Sequence, residues 1–132
     1  MERYDPDKPV DPKEWMALDE DEREHLVERY HRKNRIKVPD LGMHAMFHVL
    51  IENQIALGDS IPAQKTLARL MYEGLSRHEA VHAIASVAAS HLFNLVKHGP
   101  TSEDSSADYY RQLEELTAEG WLKGSSEKSQ DE

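Results

Sequence analysis

Apolar residues recur along this chain at helical spacing, and nowhere do they alternate with polar ones as a half-buried strand requires. Residues 1–10 are polar, carry Pro6 and Pro9, and read as an extended arm. Asp11-Pro12-Lys13-Glu14 is a helix start: a capping acid, proline at the first helical position, and an acid three residues after the cap. The short helix it opens runs through Trp15 to Leu18. Asp19 caps again, and a helix over Glu20–Lys33 follows whose narrow stripe of Leu26, Val27 and Tyr30 can pack on one side only. Asp40 caps a helix over Leu41–Leu57, and Gly58 stands where a left-handed residue closes it. A third main helix spans Pro62–Glu73 with Leu67, Leu70 and Met71 inward, ended by Gly74. Ser76 starts the longest segment, Arg77–Lys97, which stops at Gly99-Pro100. A loop over Pro100–Ala107 leads to a last amphipathic helix, Asp108–Glu119, with Tyr109, Leu113 and Leu116 on one side and Trp121 just beyond Gly120. The pattern predicts an all-α fold, an irregular up-and-down bundle of four to five helices, with residues 11–121 as a single domain and 122–132 as a disordered polar tail.

Composition narrows this picture. At 132 residues, with 39% hydrophobic and 31% charged positions, the chain can bury one core but leaves part of itself outside it. There is no cysteine, so a disulfide framework and a thiolate metal site are both excluded, and any ion is held by nitrogen and oxygen. No apolar run approaches the ~20 residues that span a bilayer. The N-terminus lacks a basic stretch followed by an apolar one, so a cytoplasmic location is expected. A net charge of −9 argues against general nucleic-acid binding. The basic run Arg29, Arg32, Lys33, Arg35 and Lys37 follows an acidic block from Asp19 to Glu28. That order suits the dipole of the second helix, leaving an RNA or DNA contact as a minor alternative.

Histidine carries the candidate chemistry. His44-Ala-Met-Phe-His48 is followed one turn later by Glu52, and His78-Glu79-Ala80-Val81-His82 repeats the four-residue offset. Residues i and i+4 lie one above the other on a helix, so each pair can aim two imidazoles at one point. His44, His48 and Glu52 fall within roughly 80° on the helical wheel, on the face that Leu41, Ile51 and Ile55 would bury. A carboxylate on such a face needs a partner. His44 and Glu52 are ~12 Å apart along the axis, so one ion takes His44 with His48, or His48 with Glu52, but hardly all three. On the longer helix His78 and His82 fall within roughly 40° of each other, whereas His91 belongs to the opposite wall. Facing helices would bring four nitrogens together, a donor set that suits zinc, nickel or iron. Glu52 is then a ligand or the acceptor that orients a ring.

The string His78-Glu79-x-x-His82 also matches the zincin motif, in which the glutamate polarises a zinc-bound water. Ser76-Arg77-His78-Glu79 is at the same time a capping box, a competing use for Glu79. Positions 85 and 88 are both alanine, so the third histidine of the metzincin pattern is absent. The bland alternative for the four histidines is a polar patch satisfied by Glu52, Gln54 and backbone groups. His25 and His31 lie on a charged helix and are expected in solvent, and His98 at a helix C-terminus. Met43, Met46 and Met71 read as core filler.

The chain resembles a bacterial family of small helical proteins described only as a domain of unknown function. The likeness covers most of residues 4–98. It rests on Tyr4-Asp5-Pro6, on Glu14-Trp15 followed by Leu18-Asp19-Glu20, on His44-x3-His48-x3-Glu52-Asn53-Gln54, and on His78-Glu79-Ala80-Val81-His82-Ala83-Ile84. The resemblance implies an all-helical fold and a shared histidine/glutamate constellation, and it names no reaction. Three functions remain open from the sequence. The first is a metal-binding protein using His44, His48, His78 and His82 with Glu52, and with Glu79 and Gln54 as orienting or capping residues. The second is a metal-free interaction or scaffold module, as a homodimer or with a protein partner. The third is a metallohydrolase with Glu79 as base.

Overall fold

A computed structural model describes residues 1–99 and 105–131, and all the regular structure among them is helical. Seven α-helices follow in order: α1 Pro12–Ala17, α2 Glu20–Lys33, α3 Leu41–Ala56, α4 Ala63–Tyr72, α5 Arg77–His98, α6 Ser105–Glu115 and α7 Ala118–Asp131, with a 3₁₀ turn, Gly58–Ser60, between α3 and α4. The expected all-α bundle is what forms.

The starts are set by side chains that take up orphan N–H groups of the first turn. Asp11 accepts from Lys13 N and Glu14 N, Asp19 from Glu22 N, and Asp40 from Met43 N. At α5 the capping box is complete: Glu79 N donates to Ser76 Oγ at 3.0 Å, and Ser76 N to Glu79 Oε1 at 3.1 Å. Gly58, at φ +65°, takes the left-handed position after α3 that a side chain would strain. Helix ends borrow distant groups too. The Arg23 guanidinium closes the C-terminal carbonyls of α1 by donating to Trp15 O, Met16 O and Leu18 O.

The expected last helix divides in two. Thr117 Oγ1 accepts from Gly120 N and Glu73 Oε1 accepts from Ala118 N, so a new helix start is capped at 117 and tied to the end of α4. The backbone of α7 is helical to Asp131, through the stretch where the composition suggested disorder. Of the loop expected over Pro100–Ala107, residues 100–104 lie outside the described residues, and 105–107 already belong to α6.

Two apolar clusters form the interior. One joins α3, α4, α5 and α6 through Ile51, Leu67, Leu70, Val81, Ile84 and Leu113. The other joins the N-terminal arm, α1, α2 and α3 through Tyr4, Trp15, Leu26, Val27, Ala45 and Val49. The arm is extended, and it is also structural: Tyr4 and Pro6 are buried, and Pro6 O accepts from Arg77 Nη1 at 2.9 Å. Trp15 is fully buried and donates Nε1–H to Asn53 Oδ1 at 2.8 Å, which joins α1 to α3. The three methionines expected as core filler are exposed instead, Met43 at 55%, Met46 at 42% and Met71 at 42%. On α3, Met43 and Met46 stay in solvent together with Leu50. Likewise α4 buries Leu67 and Leu70 and turns Met71 out.

Candidate metal centre

Three helices bring five imidazoles together. His31 comes from the last turn of α2, His44 and His48 from α3, and His78 and His82 from the first turns of α5. The α3 and α5 pairs face each other as their spacing suggested. His48 Nε2 lies 3.0 Å from His82 Nε2. Ring centroids are 4.9 Å apart for His44–His48 and 4.3 Å for His78–His82. His31, His48, His78 and His82 each present one ring nitrogen, and these four atoms all lie within 4.8 Å of one another. His44 stands against the same group, its ring 4.7 Å from that of His31 and 4.9 Å from that of His82.

His31 corrects the sequence reading, which put it in solvent: it is fully buried, whereas His25 on the same helix is exposed. The signal was present, because Leu26, Val27, Tyr30 and His31 together span an arc of roughly 140°, the width of an ordinary buried face. The surrounding charges hid it, since His31 is followed by Arg32 and Lys33.

Hydrogen bonds outside the cluster fix which nitrogen His31 and His48 turn inward. His31 Nδ1 donates to Val27 O at 2.8 Å, one turn back, which leaves Nε2 as a buried lone pair with no partner. His48 is set by a longer chain. Tyr4 donates its hydroxyl to Glu52 Oε2 at 2.5 Å, so its oxygen is free to accept from His48 Nδ1 at 3.1 Å. Donor counting thus assigns the His48 proton to Nδ1 and a lone pair to Nε2. In the ion-free protein the 3.0 Å contact is then a hydrogen bond donated by His82. The Nε2 atoms of His44 and His78 are buried without partners as well. Such orphaned nitrogens are uncommon in a folded protein. Here three of them share one site.

Glu52 lies outside the group of four. Its carboxylate is buried against Arg77 in a two-armed ion pair, Nη2–Oε1 at 2.7 Å and Nη1–Oε2 at 2.8 Å, with Tyr4 on Oε2. Both oxygens are engaged, and Tyr4 links the carboxylate to His48 Nδ1. Neither Arg77 nor Tyr4 was assigned to the site from sequence, although a carboxylate on a buried face demands a buried cation and Arg77 stands next to His78. Gln54 is elsewhere: its Oε1 accepts from the Tyr109 hydroxyl at 2.7 Å and anchors α6. Glu79 closes its capping box and His91 lies against Tyr109, their ring centroids 5.5 Å apart.

Burial makes His44, His48, His78 and His82 poor bases. It pulls His48 far below the ordinary 6.5, and the charges His82, His44 and His78 would carry push the same way. His82 is lowered to about 3 and His44 to about 4, again by burial first and neighbouring imidazoles second. His78 is lowered by burial, against the upward pull of Asp7. Neutral rings at pH 7 are what a cation needs from nitrogen ligands. A tetrahedral ion with ~2.0–2.1 Å bonds asks for nitrogens about 3.3 Å apart, between the 3.0 Å of the His48–His82 contact and the 4.8 Å limit of the group.

Between α3, α5 and α7 a cleft of about 630 Å³ leads in from the surface. Val38, Met43, Phe47, Ala85, Ala89 and Trp121 are among its walls, and His44 and His82 line it as well.

Fold and side chains together define a helical bundle with a buried imidazole cluster. Comparison with protein-family models, with curated proteins and with solved structures finds no match to this chain.

Proposed function

We propose that the protein binds one divalent transition ion, zinc, nickel or iron, through His31, His48, His78 and His82. His44 stands beside the ion, and the Tyr4–Glu52–Arg77 chain orients His48. The observation that carries this reading is the convergence of four ring nitrogens within 4.8 Å. Unpartnered Nε2 atoms and neutral imidazoles support it. Membership of the bacterial helical family that the histidine blocks resemble belongs to the same proposal. Metal analysis of tag-free protein tests it. About one equivalent per chain is expected; less than about a tenth, with no thermal shift on adding zinc, nickel or iron, refutes it.

One observation favours a second reading, a metal-free module that pairs with another chain. Met43, Met46 and Leu50 on α3 and Leu92, Phe93 and Val96 on α5 leave apolar side chains in solvent, Phe93 at 64% and Val96 at 79% exposure. That module would lose stability or assembly on His48→Ala or His82→Ala with no change in metal content. No helix among the described residues is long and apolar enough to cross a membrane.

A further inference from the structure

We infer that the ion takes an additional ligand from outside, a small carboxylate-type anion with an apolar body, which enters through the α3–α5–α7 cleft and meets the ion beside His44. The inference rests on the metal-binding reading and goes beyond it to the substrate class. Charge is the first argument. Imidazole ligands carry no charge, so four of them leave a divalent ion with its full charge in a site where His31 and His48 are buried. Among the described residues the buried carboxylate is Glu52, and it is already neutralised by Arg77. Of the two nearby acids, Asp7, which accepts from the backbone N–H of His78, is exposed and Asp5 is half-buried. An uncompensated charge away from water draws an anion.

Access is the second argument. His44 and His82 are the members of the cluster that line the cleft, so an entering molecule approaches the ion there, as a fifth ligand beside the four nitrogens. His44 is outside the four-nitrogen group, and its Nε2 is buried with no partner. A ring nitrogen in that state can donate a hydrogen bond to a bound oxygen, and no other group among the described residues uses it. The walls are the third argument. Phe47, Ala85, Ala89 and Trp121 offer aromatic and small apolar surface, which suits a hydrocarbon or aryl body behind a charged head. Asp40 stands at the same cleft but is occupied as the α3 cap, accepting from Met43 N at 3.0 Å.

The test uses the full chain loaded with cobalt(II), whose visible absorption reports changes at the ion. Azide, acetate and phenylacetate are the probes. The expected result is a saturable spectral change with each, phenylacetate binding more tightly than acetate. Ala89→Trp, which fills the cleft, should keep the cobalt stoichiometry and weaken phenylacetate about tenfold or more. Met43→Trp, at an exposed position on the same wall, serves if Ala89→Trp fails to fold. His44→Ala should weaken all three anions while cobalt remains bound. Cobalt that binds but ignores every anion overturns this inference and leaves the metal reading standing. Anion binding that neither cleft variant alters overturns it as well. Protein that takes up no cobalt overturns both.

Discussion

Replacing Tyr4 by phenylalanine removes one oxygen from the middle of the chain that joins Arg77, Glu52 and His48. The ring keeps its packing against Trp15, Tyr30 and His48, at centroid distances of 5.6, 6.3 and 5.9 Å, so little beyond the hydroxyl changes. What is lost is a bond to a buried carboxylate and the acceptor for His48 Nδ1. A hydrogen bond to a charged group contributes about 1.5–3 kcal/mol, and a buried donor left unpaired adds to the loss. A net cost of about 2 kcal/mol corresponds to a fall of roughly 6–10 °C in Tm for a domain of this size. Metal affinity should drop about 10- to 100-fold, because the His48 ring is no longer held with Nε2 inward. Thermal melts of the ion-free protein measure the first quantity, and competition titration against a zinc chelator the second. A variant with unchanged Tm and unchanged zinc affinity would refute the claim that Tyr4 passes the order of the Glu52–Arg77 pair to the site.

Arg77→Met strands Glu52 in the interior and should cost about 3–5 kcal/mol by denaturant titration, with the Glu52→Leu/Arg77→Met double variant recovering part of it. The ion-free protein should lose stability as pH falls below the unfolded histidine value near 6.5. His48, His82 and His44 have lowered folded values, so the unfolded chain binds more protons in that range. The loss continues toward about 4 for His44 and about 3 for His82, at no more than about 1.4 kcal/mol per pH unit for each histidine and less for half-exposed His44. Stability that is flat between pH 7 and 5 would contradict the neutral, buried cluster. Glu79→Ala should cost about 1 kcal/mol through the capping box and leave metal content untouched; loss of metal would return Glu79 to the site.

Much of the fold was legible because it is written in local signals. Asp11, Asp19, Asp40 and Ser76 each cap the helix that their sequence context announced, and α5 ends within a residue of the expected place. The break between α6 and α7 was not legible, since Thr117 needs Glu73 of α4 to complete the new start. The same division runs through the site. The facing pairs on α3 and α5 follow from the i, i+4 spacing, whereas His31 is a lone histidine and becomes a member only when α2 docks on α3. Tyr4 lies in an arm without periodicity, and its role depends on partners 44 and 48 residues away in sequence. Met43, Met46 and Met71 were misplaced for a related reason: residue type says what can be buried, and only the neighbouring helices say what is.

X-ray absorption at the metal edge of the loaded, tag-free protein bears most directly on the claim that imidazoles from three helices meet at one ion. A first shell of about four nitrogens at ~2.0–2.1 Å with the outer-shell scattering of imidazole rings is expected for zinc, and it should be lost or reduced in His31→Ala but not in His25→Ala. An oxygen-dominated shell without imidazole scattering, or one that His31→Ala leaves intact, would contradict it.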